Sequence, residues 1–508
     1  MESIRIQNLR CLRDTGEIPI KAINLLIGKN SSGKSSFLRT FPLLRQSIEV
    51  KTRSPILWYG DYVDFGDFNT AITKGTDSII FEFKIMLTNN YVRFYRLLPN
   101  NLFVYIKISL KCQSENNVYI NNLSIRFNDQ YISVNLSHDG ELTEFVINNE
   151  DYTEKSSNIQ AIFLYGLLPE FLFVSDKLDE KKLFSRKNNP ILLKEIISFI
   201  KKNTKSNLSD EKIRLIINDI SLGNLEYILN TIQQSSSIKS KSWYNIVKKW
   251  SIENKDFKKL NNLLLCYRFP ELLEVINTTL TSFSKDICYI APLRVTAERY
   301  YRRQNLGVSE VDFQGRNLPM FIDNMTSSSK KRFQEWVSRS FGFYPDTSSS
   351  EGHISLRLFD SKTNEGFNIA DKGFGFSQLL PIITQLWSII NNKQYINQNF
   401  SKIVLTIEQP ELHLHPALQA KLIDCFIEAI ELAKTKQIDL RIIVETHSPT
   451  LVNRLGHMII KNKITEEEVS ILLFEKFNLN DNDIKIVNFN HEGFLEDWPS
   501  GFFDPEED

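Results

Sequence analysis

The sequence has few cysteines and lacks a long apolar run. Its five cysteines, Cys11, Cys112, Cys266, Cys288 and Cys425, are scattered and form no CxxC pair. This pattern argues against a disulfide framework or a zinc ribbon and is typical of a reducing cytosol. No apolar run approaches the roughly 18 residues of a membrane helix, and the first residues lack the apolar segment of a signal peptide. We therefore expect a cytoplasmic protein with no membrane partner.

The chain also lacks an excess of either charge, because 61 Lys and Arg residues balance 61 Asp and Glu residues. A balanced chain has no global attraction to nucleic acid or membrane. The balance is uneven along the sequence, however, since residues 181–260 contain 17 Lys and Arg against 7 Asp and Glu. The length of 508 residues indicates two or three structural units.

A glycine-rich loop lies near the start of the chain. An apolar run at 23–27 leads into Gly28-Lys29-Asn30-Ser31-Ser32-Gly33-Lys34-Ser35, a full match to GxxxxGK[ST], and a helix-like stretch from Ser36 to Gln46 follows. In such a loop, backbone N–H groups and the helix N-terminus attract phosphate. Lys34 is expected to reach the β- and γ-phosphates, and the Ser35 hydroxyl to hold Mg²⁺. The sequence therefore predicts that residues 28–36, Ser36 included, bind ATP and Mg²⁺.

Two more apolar runs end in polar residues in the second half of the chain. Residues 403–407 lead into Glu408-Gln409-Pro410-Glu411, and residues 440–444 lead into Glu445-Thr446-His447-Ser448. A strand that ends in acids is where a P-loop ATPase keeps its Mg²⁺-organising carboxylate and its water-activating group. We predict Glu408 as a metal ligand with Ser35. The residues predicted to be catalytic are Glu408, Gln409, Glu411 and His447.

A second candidate phosphate cradle lies between these runs. It reads Asp371-Lys372-Gly373-Phe374-Gly375-Phe376-Ser377-Gln378 and precedes an apolar, helix-like stretch from Leu379 to Ile390. Alternating glycines before Ser377, at an expected helix N-cap, favour an anion. Because residues 28–35 already cradle phosphates, we expect Gly373, Gly375 and Ser377 to contact the nucleotide of another copy. The alternative is a plain glycine turn with a helix cap.

These four elements, in this order, resemble the ATPase head of the ABC/SMC superfamily, in particular its OLD-type AAA-family ATPases, over about residues 1–70 and 285–508. The resemblance implies an α/β fold: an ABC-type ATPase head, with a P-loop α/β core plus an antiparallel β-sheet, and a helical insertion domain. It also implies a homodimer that sandwiches two ATP molecules. Gly373, Gly375 and Ser377 then stand at the signature motif, Glu408 at Walker B, Glu411 to Pro416 at the D-loop and His447 at the switch histidine. For the Q-loop glutamine, Gln46 is a weak candidate.

The end of the Walker B motif departs from the family pattern. Most such heads have Asp-Glu there, whereas this chain has Glu408-Gln409. An amide orients water by hydrogen bonding but does not act as a general base. We therefore expect slow hydrolysis, with Glu411 or His413 as the substitute base and ATP acting as a clamp or sensor.

The tracts 289–294, 408–416 and 490–504 resemble a narrower subfamily, the PtuA-type ATPases of Septu and retron anti-phage defence systems. This resemblance implies an HNH-type nuclease partner that ATP occupancy restrains, or a retron reverse transcriptase with its DNA and RNA. OLD-type nucleases append a Toprim domain, for which the 61 residues after His447 are too few, so we expect this chain not to be a nuclease. The alternative is an autonomous SMC-like or RecF-like DNA-repair ATPase that binds DNA directly.

The segment between the motifs changes from strand-like to helix-like patterns. Short alternating runs from Ser78 to Leu136 predict an antiparallel sheet, and runs between 191 and 280 predict helices. We predict the two halves of the head at 1–175 and 286–508, with a basic helical insertion at 176–285. The charge of the insertion is compatible with a docking surface for nucleic acid or an acidic partner, and equally with a solvated cap.

Overall fold

The computed structural model describes residues 1–52, 54–87, 98–99, 101–113, 117–156, 159–174, 184–185, 189–204, 208–234, 241–304, 307–308, 310–371, 374–391, 401–475 and 484–499. The chain divides into two compact units. The N-terminal unit comprises Met1–Arg13 and Leu43–Lys285, and the P-loop unit comprises Asp14–Pro42 and Asp286–Asp508. The three-part division expected from the sequence stays a prediction.

The strands are, in chain order, β1 (Ser3–Leu9), β2 (Leu12–Asp14), β3 (Ile18–Pro19), β4 (Ile23–Gly28), β5 (Ile79–Leu87), β6 (Leu102–Cys112), β7 (Val118–Phe127), β8 (Gln130–Leu136), β9 (Leu142–Ile147), β10 (Glu150–Asp151), β11 (Ile159–Ile162), β12 (Glu170–Val174), β13 (Phe184–Ser185), β14 (Ile287–Ile290), β15 (Tyr301–Arg302), β16 (Phe343–Ser350), β17 (His353–Asp360), β18 (Gly366–Asn368), β19 (Ser401–Glu408), β20 (Ile438–Glu445), β21 (Val469–Phe474) and β22 (Ile484–Val487).

The α-helices are α1 (Lys34–Glu49), α2 (Phe68–Ala71), α3 (Pro190–Thr204), α4 (Asp210–Asp219), α5 (Leu225–Gln234), α6 (Lys241–Val247), α7 (Lys255–Lys285), α8 (Leu318–Asp323), α9 (Ser327–Phe341), α10 (Phe374–Asn391), α11 (Pro416–Thr435) and α12 (Pro449–Ile460). A membrane-spanning helix is not found among the described residues, whose helices fall short in length or in apolar content.

Alternating apolar residues build the antiparallel sheet of the N-terminal unit. Every second side chain of β5 is buried, as expected for a strand with one face on a core. The strand order is β10-β9-β8-β7-β6-β5-β1-β2, so the chain from β5 to β10 is a series of antiparallel neighbours. Of the strands predicted from alternation, Val118–Phe127 is found with the predicted bounds, while Tyr91–Leu98 lies almost wholly outside the described residues.

Helices α3 to α7 follow this sheet, and α7 is the longest. Only one part of it, from Leu272 to Leu280, was predicted from the helix-like runs of the sequence. Pro270 lies inside this helix, although proline removes a backbone donor and usually disrupts a helix interior. The helix runs through Pro270 because apolar side chains on both sides of the proline are buried. Arg268 is also buried, and its guanidinium donates to the carbonyl oxygens of Ile217 and Ile220 at the end of α4.

A six-stranded sheet forms the centre of the P-loop unit, in the order β14-β19-β20-β4-β21-β22. Its strands are parallel except β22, and β4 and β21 are buried along their whole length, as expected for a parallel sheet covered on both faces. The carboxyl ends of β4, β19 and β20 lie at one edge of the sheet, where α/β proteins place their ligands. The P-loop, Glu408 and Glu445 meet at this edge.

A small antiparallel sheet in the same unit was not predicted from the sequence. Its strand order is β15-β17-β16. A fourth strand, β18, pairs with part of β17. The predicted fold class is otherwise confirmed, since the chain is an α/β protein with a P-loop core, an antiparallel sheet and a set of helices between the two halves of the core.

Gly28 ends β4 where β4 pairs with the end of β21. A Cβ atom at position 28 would lie 2.4 Å from the carbonyl oxygen of Phe474 and 2.9 Å from its Cβ. Gly28→Ala is therefore expected to lower the free energy of unfolding by about 1–3 kcal/mol, as overpacking in a filled site does. Urea unfolding measures this change. Gly307→Ala is the control, because a Cβ there meets no atom within 4 Å, and equal unfolding midpoints for the two variants would contradict the prediction.

Candidate nucleotide-binding site

The P-loop turns its backbone in the way that phosphate binding requires. Ser31 and Gly33 have φ angles of 61° and 108°, and α1 begins at the next residue, Lys34. The φ angle of Gly33 is one that glycine adopts without strain. A helix N-terminus at the end of such a loop combines free N–H groups with a favourable dipole. The local geometry is that of an anion site.

Lys34 spans the inside of this loop. Its side chain is buried, and the ammonium donates to the carbonyl oxygens of Gly28 at 2.9 Å and Lys29 at 2.7 Å. Burial lowers the pKa of Lys34, and the nearby charge of Glu445 opposes this effect. Ser32 Oγ is buried in the same loop without a hydrogen-bond partner in the described part of the chain. A polar loop with an unsatisfied hydroxyl and a buried cation fits a bound polyphosphate.

Two carboxylates lie side by side at the ends of neighbouring strands. Glu408 ends β19 and Glu445 ends β20, and the two residues are partners in the parallel register. The Ser35 hydroxyl donates to Glu445 Oε1 at 2.8 Å. Burial and the adjacent charge of Glu408 raise the pKa of Glu445 to about 7. The predicted Mg²⁺ ligand Ser35 is thus in direct contact with a carboxyl group.

Glu408 is held by two side chains that the sequence did not single out. Arg39 of α1 makes a bidentate ion pair with it, with Nε–Oε1 and Nη2–Oε2 distances of 2.8 Å. The Tyr289 hydroxyl donates to Glu408 Oε1 at 2.7 Å, and burial raises the pKa of Tyr289. Only 2% of Glu408 is exposed. Its carboxylate is therefore fixed and neutralised by the helix that follows the P-loop.

The segment after β19 is connected to the end of β20. Gln409 has a left-handed φ of 42°, and its N–H donates to the Glu445 carbonyl at 2.8 Å. Glu411 Oε1 accepts a hydrogen bond of 2.7 Å from the backbone N–H of His447. Burial raises the pKa of Glu411. The predicted catalytic residues of the two strands are thus brought together by the backbone.

His447 lies close enough to Lys34 to be affected by its charge. Burial lowers the pKa of His447, and the positive charge of Lys34 lowers it further. The imidazole is therefore neutral at neutral pH, and one ring nitrogen is an acceptor. A neutral histidine that is affected by the charge of the P-loop lysine is compatible with a role in orienting water or a phosphate.

The second predicted cradle differs from its expected geometry. Helix α10 begins at Phe374, so Ser377 lies buried within its first turn and is not the N-cap that the sequence predicted. A Cβ at Gly375 would lie 2.8 Å from the His413 carbonyl oxygen, so this glycine allows the start of the helix to approach the backbone at His413. That close approach explains why a glycine lies within the first turn of α10. Gly373 lies outside the described residues.

Arg294 links the end of β19 to helix α10. Its buried guanidinium donates to the Glu408 carbonyl at 2.9 Å and to Gln378 Oε1 at 3.4 Å. Burial lowers the pKa of Arg294 to about 10, and Glu411 and Glu408 oppose this effect. Arg294 lies in the 289–294 tract, which supports the resemblance to the narrower subfamily but predicted no role for this residue. The only signal for this contact in the sequence was a basic residue between two apolar runs.

The weak Q-loop candidate has a different environment. The side chain of Gln46 is buried, donates from Nε2 to the Leu57 carbonyl at 2.6 Å and accepts at Oε1 from the Val63 N–H at 3.1 Å. Its amide therefore closes the 57–63 loop. This is a structural role, and the assignment of a Q-loop glutamine to Gln46 gains no support.

The C-terminal tract quoted for the subfamily packs onto α12. Cβ atoms at Gly456 and Gly493 would each lie within 2.4 Å of the carbonyl oxygen of the other glycine, so the two backbones are in contact. Trp498 is partly buried against the apolar core of the P-loop unit, whereas Phe502 and Phe503 lie outside the described residues. The tract thus has at least a packing role.

Comparison with known proteins gives a family and distant relatives. A family model for the AAA ATPase domain matches residues 1–452. Endonuclease GajA of Bacillus cereus (strain HuB5-5) is 22% identical over an alignment of 353 residues that covers 61% of this chain and 50% of GajA. The chain thus spans about half the length of this curated relative.

Solved structures of SMC head domains also match, at low similarity. The head domain from Thermotoga maritima is 8% identical, with a TM-score of 0.35, and the match covers 96% of this chain and 98% of that one. An Smc head domain with an extended coiled coil, bound to the C-terminal domain of ScpA from Pyrococcus furiosus, is 11% identical, with a TM-score of 0.32, and the match covers 97% and 96%.

Proposed function

This chain belongs to the AAA ATPase domain family, and on that basis we propose that it is a slowly hydrolysing, regulatory ATPase subunit of a bacterial anti-phage defence complex. Residues 28–36 bind ATP with Mg²⁺. Two copies then sandwich two ATP molecules, with Gly373, Gly375 and Ser377 of each copy facing the nucleotide of the other. This ATP-bound homodimer, in the cytoplasm, restrains an HNH-type nuclease subunit.

The proposed binding of ATP and Mg²⁺ is supported by one observation. Four side chains meet at one edge of the sheet, namely Lys34, Ser35, Glu408 and Glu445. Lys34 and the loop N–H groups hold the phosphates, and Ser35 with the strand-end carboxylates holds the metal. Bound Mg²⁺ would neutralise charge on the β- and γ-phosphates. His447, neutral and beside Lys34, orients water or the γ-phosphate. Arg294 connects the end of Walker B to the helix that faces the other copy.

Slow hydrolysis is supported by the partners of the acids near this edge. Gln409 supplies an amide where a general base is usual. Both oxygens of Glu408 are engaged by Arg39, and Glu411 is bonded to the His447 backbone. With these groups held by other partners, we expect hydrolysis to be slow, so that ATP stays bound. ATP then acts as a clamp on the partner.

The nuclease part of the proposal is supported by two likenesses. The tail and strand tracts resemble the ATPases of Septu and retron defence systems, and the chain matches about half of a protein named as an endonuclease. An ATPase of this kind that works with a nuclease fits both. A retron reverse transcriptase with its DNA and RNA is the further partner that the same resemblance favours.

The proposal is tested by the native mass and the ultraviolet absorbance ratio of the protein, purified in ATP together with the products of its neighbouring genes. We expect a particle heavier than two chains of 59.1 kDa that contains a nuclease subunit. We also expect ATP removal to release nuclease activity. A dimer free of nuclease and nucleic acid would contradict the regulatory assignment.

A second candidate is a DNA-repair ATPase that binds DNA itself. A cleft of about 770 Å³ beside the small sheet is lined by Arg299, Arg357 and the aromatic side chains of Tyr300 and Phe367, which are groups that contact phosphates and stack on bases. Arg299 is paired with Asp371, and Arg357 donates to the Gly366 carbonyl. Salt-sensitive, ATP-dependent DNA binding by the isolated chain, weakened by Arg357→Gln, would favour this candidate.

A further inference from the structure

The two strand-end carboxylates of the nucleotide site differ in what surrounds them. Glu408 meets a bidentate guanidinium and a tyrosine hydroxyl, which together engage both of its oxygens. Among the residues that the structure describes, the carboxylate of Glu445 accepts a hydrogen bond from the Ser35 hydroxyl, at Oε1, and the charges of Lys34 and Arg39 act on it from farther away. Glu445 Oε2 is buried without a hydrogen-bond partner in the described part of the chain, and only 4% of the residue is exposed.

A buried carboxylate with one unsatisfied oxygen is unfavourable unless a cation or donor reaches it. The arginine that neutralises Glu408 already makes two hydrogen bonds to that residue. Moreover, the negative charge of Glu408 lies directly across the strand pair from Glu445. A divalent cation at Glu445 would satisfy its free oxygen and offset the charge of both acids.

The position of Glu445 relative to Ser35 fits shared coordination. Mg²⁺ binds oxygen ligands at about 2.0–2.1 Å in an octahedron, so neighbouring ligand oxygens are about 3 Å apart. Ser35 Oγ and Glu445 Oε1 are 2.8 Å apart. The P-loop serine and this carboxyl oxygen therefore have the separation of two neighbouring ligands of one ion.

We propose that Glu445 is the protein carboxylate that contacts the nucleotide-bound Mg²⁺ directly, beside Ser35, whereas Glu408 acts from behind as a charge fixed by Arg39. This inference rests on the proposed binding of ATP and Mg²⁺ to residues 28–36. It moves the metal-binding role from the acid that ends β19 to the acid that ends β20.

Mn²⁺ is the probe for the test, because its electron paramagnetic resonance signal reports metal binding without turnover. The protein is loaded with a non-hydrolysable ATP analogue and titrated with Mn²⁺. We expect Glu445→Gln to weaken Mn²⁺ binding by at least about tenfold, the range seen when groups around a metal are removed. Binding of the analogue in EDTA is expected to persist. We expect Glu408→Gln to weaken Mn²⁺ binding less than Glu445→Gln does, and Glu431→Gln, which changes an exposed acid on α11, is the matched control.

Glu445→Asp separates a metal role from a folding role. Asp keeps the charge but withdraws the carboxylate by one methylene, so we expect a native thermal transition together with Mn²⁺ binding that is still weakened. Undiminished Mn²⁺ binding by both Glu445 variants, or a larger loss in Glu408→Gln, would overturn the inference while the proposed ATPase stands. Failure of the unchanged protein to bind the nucleotide analogue would overturn both.

Discussion

Arg39→Met is expected to lower the free energy of unfolding by about 3–5 kcal/mol, because it leaves the buried carboxylate of Glu408 without its guanidinium. Only the Tyr289 hydroxyl would remain as a side-chain donor to that carboxylate, and Glu445 lies beside it on the next strand. Two neighbouring buried acids disfavour ionisation of both. The methionine fills the space of the arginine stem, so the loss reports the charge and its hydrogen bonds.

Urea unfolding at two pH values measures this loss. Arg39 is one of the charges that oppose the rise in the pKa of Glu445 caused by burial and by Glu408. Its loss raises the pKa of Glu445 in the folded state further above the unfolded value, so this penalty is present above the raised pKa, where the carboxylate must be ionised, and it shrinks as the pH falls and the group binds a proton. The loss should be larger at pH 8 than at pH 5.

Arg339→Met is the matched control for this variant. Arg339 pairs with Glu428 on the surface, where 69% of the arginine side chain is exposed, and such pairs contribute about 0–1 kcal/mol. Adding Glu408→Leu to Arg39→Met should recover part of the loss, because the unpaired charge is removed as well. An equal effect of Arg39→Met and Arg339→Met would contradict the proposed importance of the Arg39–Glu408 pair.

Gln409→Glu is expected to raise the kcat of ATP hydrolysis by about 100-fold, the lower range of what a placed general base contributes. The backbone N–H at position 409 is anchored to the Glu445 carbonyl, so a carboxylate there would start from the end of β19, next to Glu408. The change replaces an amide that only orients water by a group that accepts its proton. Phosphate release in the steady state measures the rate.

Two further variants make this experiment specific. Gln409→Asn keeps the amide and should not raise kcat, which separates a change of chemistry from a change of packing. Lys34→Ala combined with Gln409→Glu should abolish the gain, since the reaction must occur at this P-loop. An unchanged kcat in Gln409→Glu would mean that the amide at position 409 does not limit the rate, and the proposed cause of slow hydrolysis would be wrong.

Local patterns predicted the parts of the site that are continuous in sequence. In each of these parts a motif is joined to an unbroken apolar strand or an adjacent helix. All of them are found close to their predicted positions, namely the P-loop, β4, α1, β19 and β20. The ends shift by a few residues: α1 extends from Lys34 to Glu49, beyond the predicted 36–46.

The contacts that define the site chemically were not predictable in the same way. Arg39 and Glu408 are 369 positions apart in the sequence. From the sequence alone, an arginine on an amphipathic helix is expected to be a solvated cation, and only the fold shows that a buried acid lies beside it. No role was predicted for Glu445 from the sequence, although it ends β20 as Glu408 ends β19. Ser377 was predicted as a cap because serine is a preferred N-cap residue and glycines precede it here. In the structure, contact with the His413 backbone lets Gly375 lie inside the helix.

The central claim, that ATP joins two heads, is tested most directly by the mass of the isolated chain in sedimentation with ATP and Mg²⁺, with ADP and Mg²⁺, and without nucleotide. We predict twice the chain mass of 59.1 kDa with ATP and a single chain mass in the other two conditions. A mass that does not change while ATP is demonstrably bound would contradict the account.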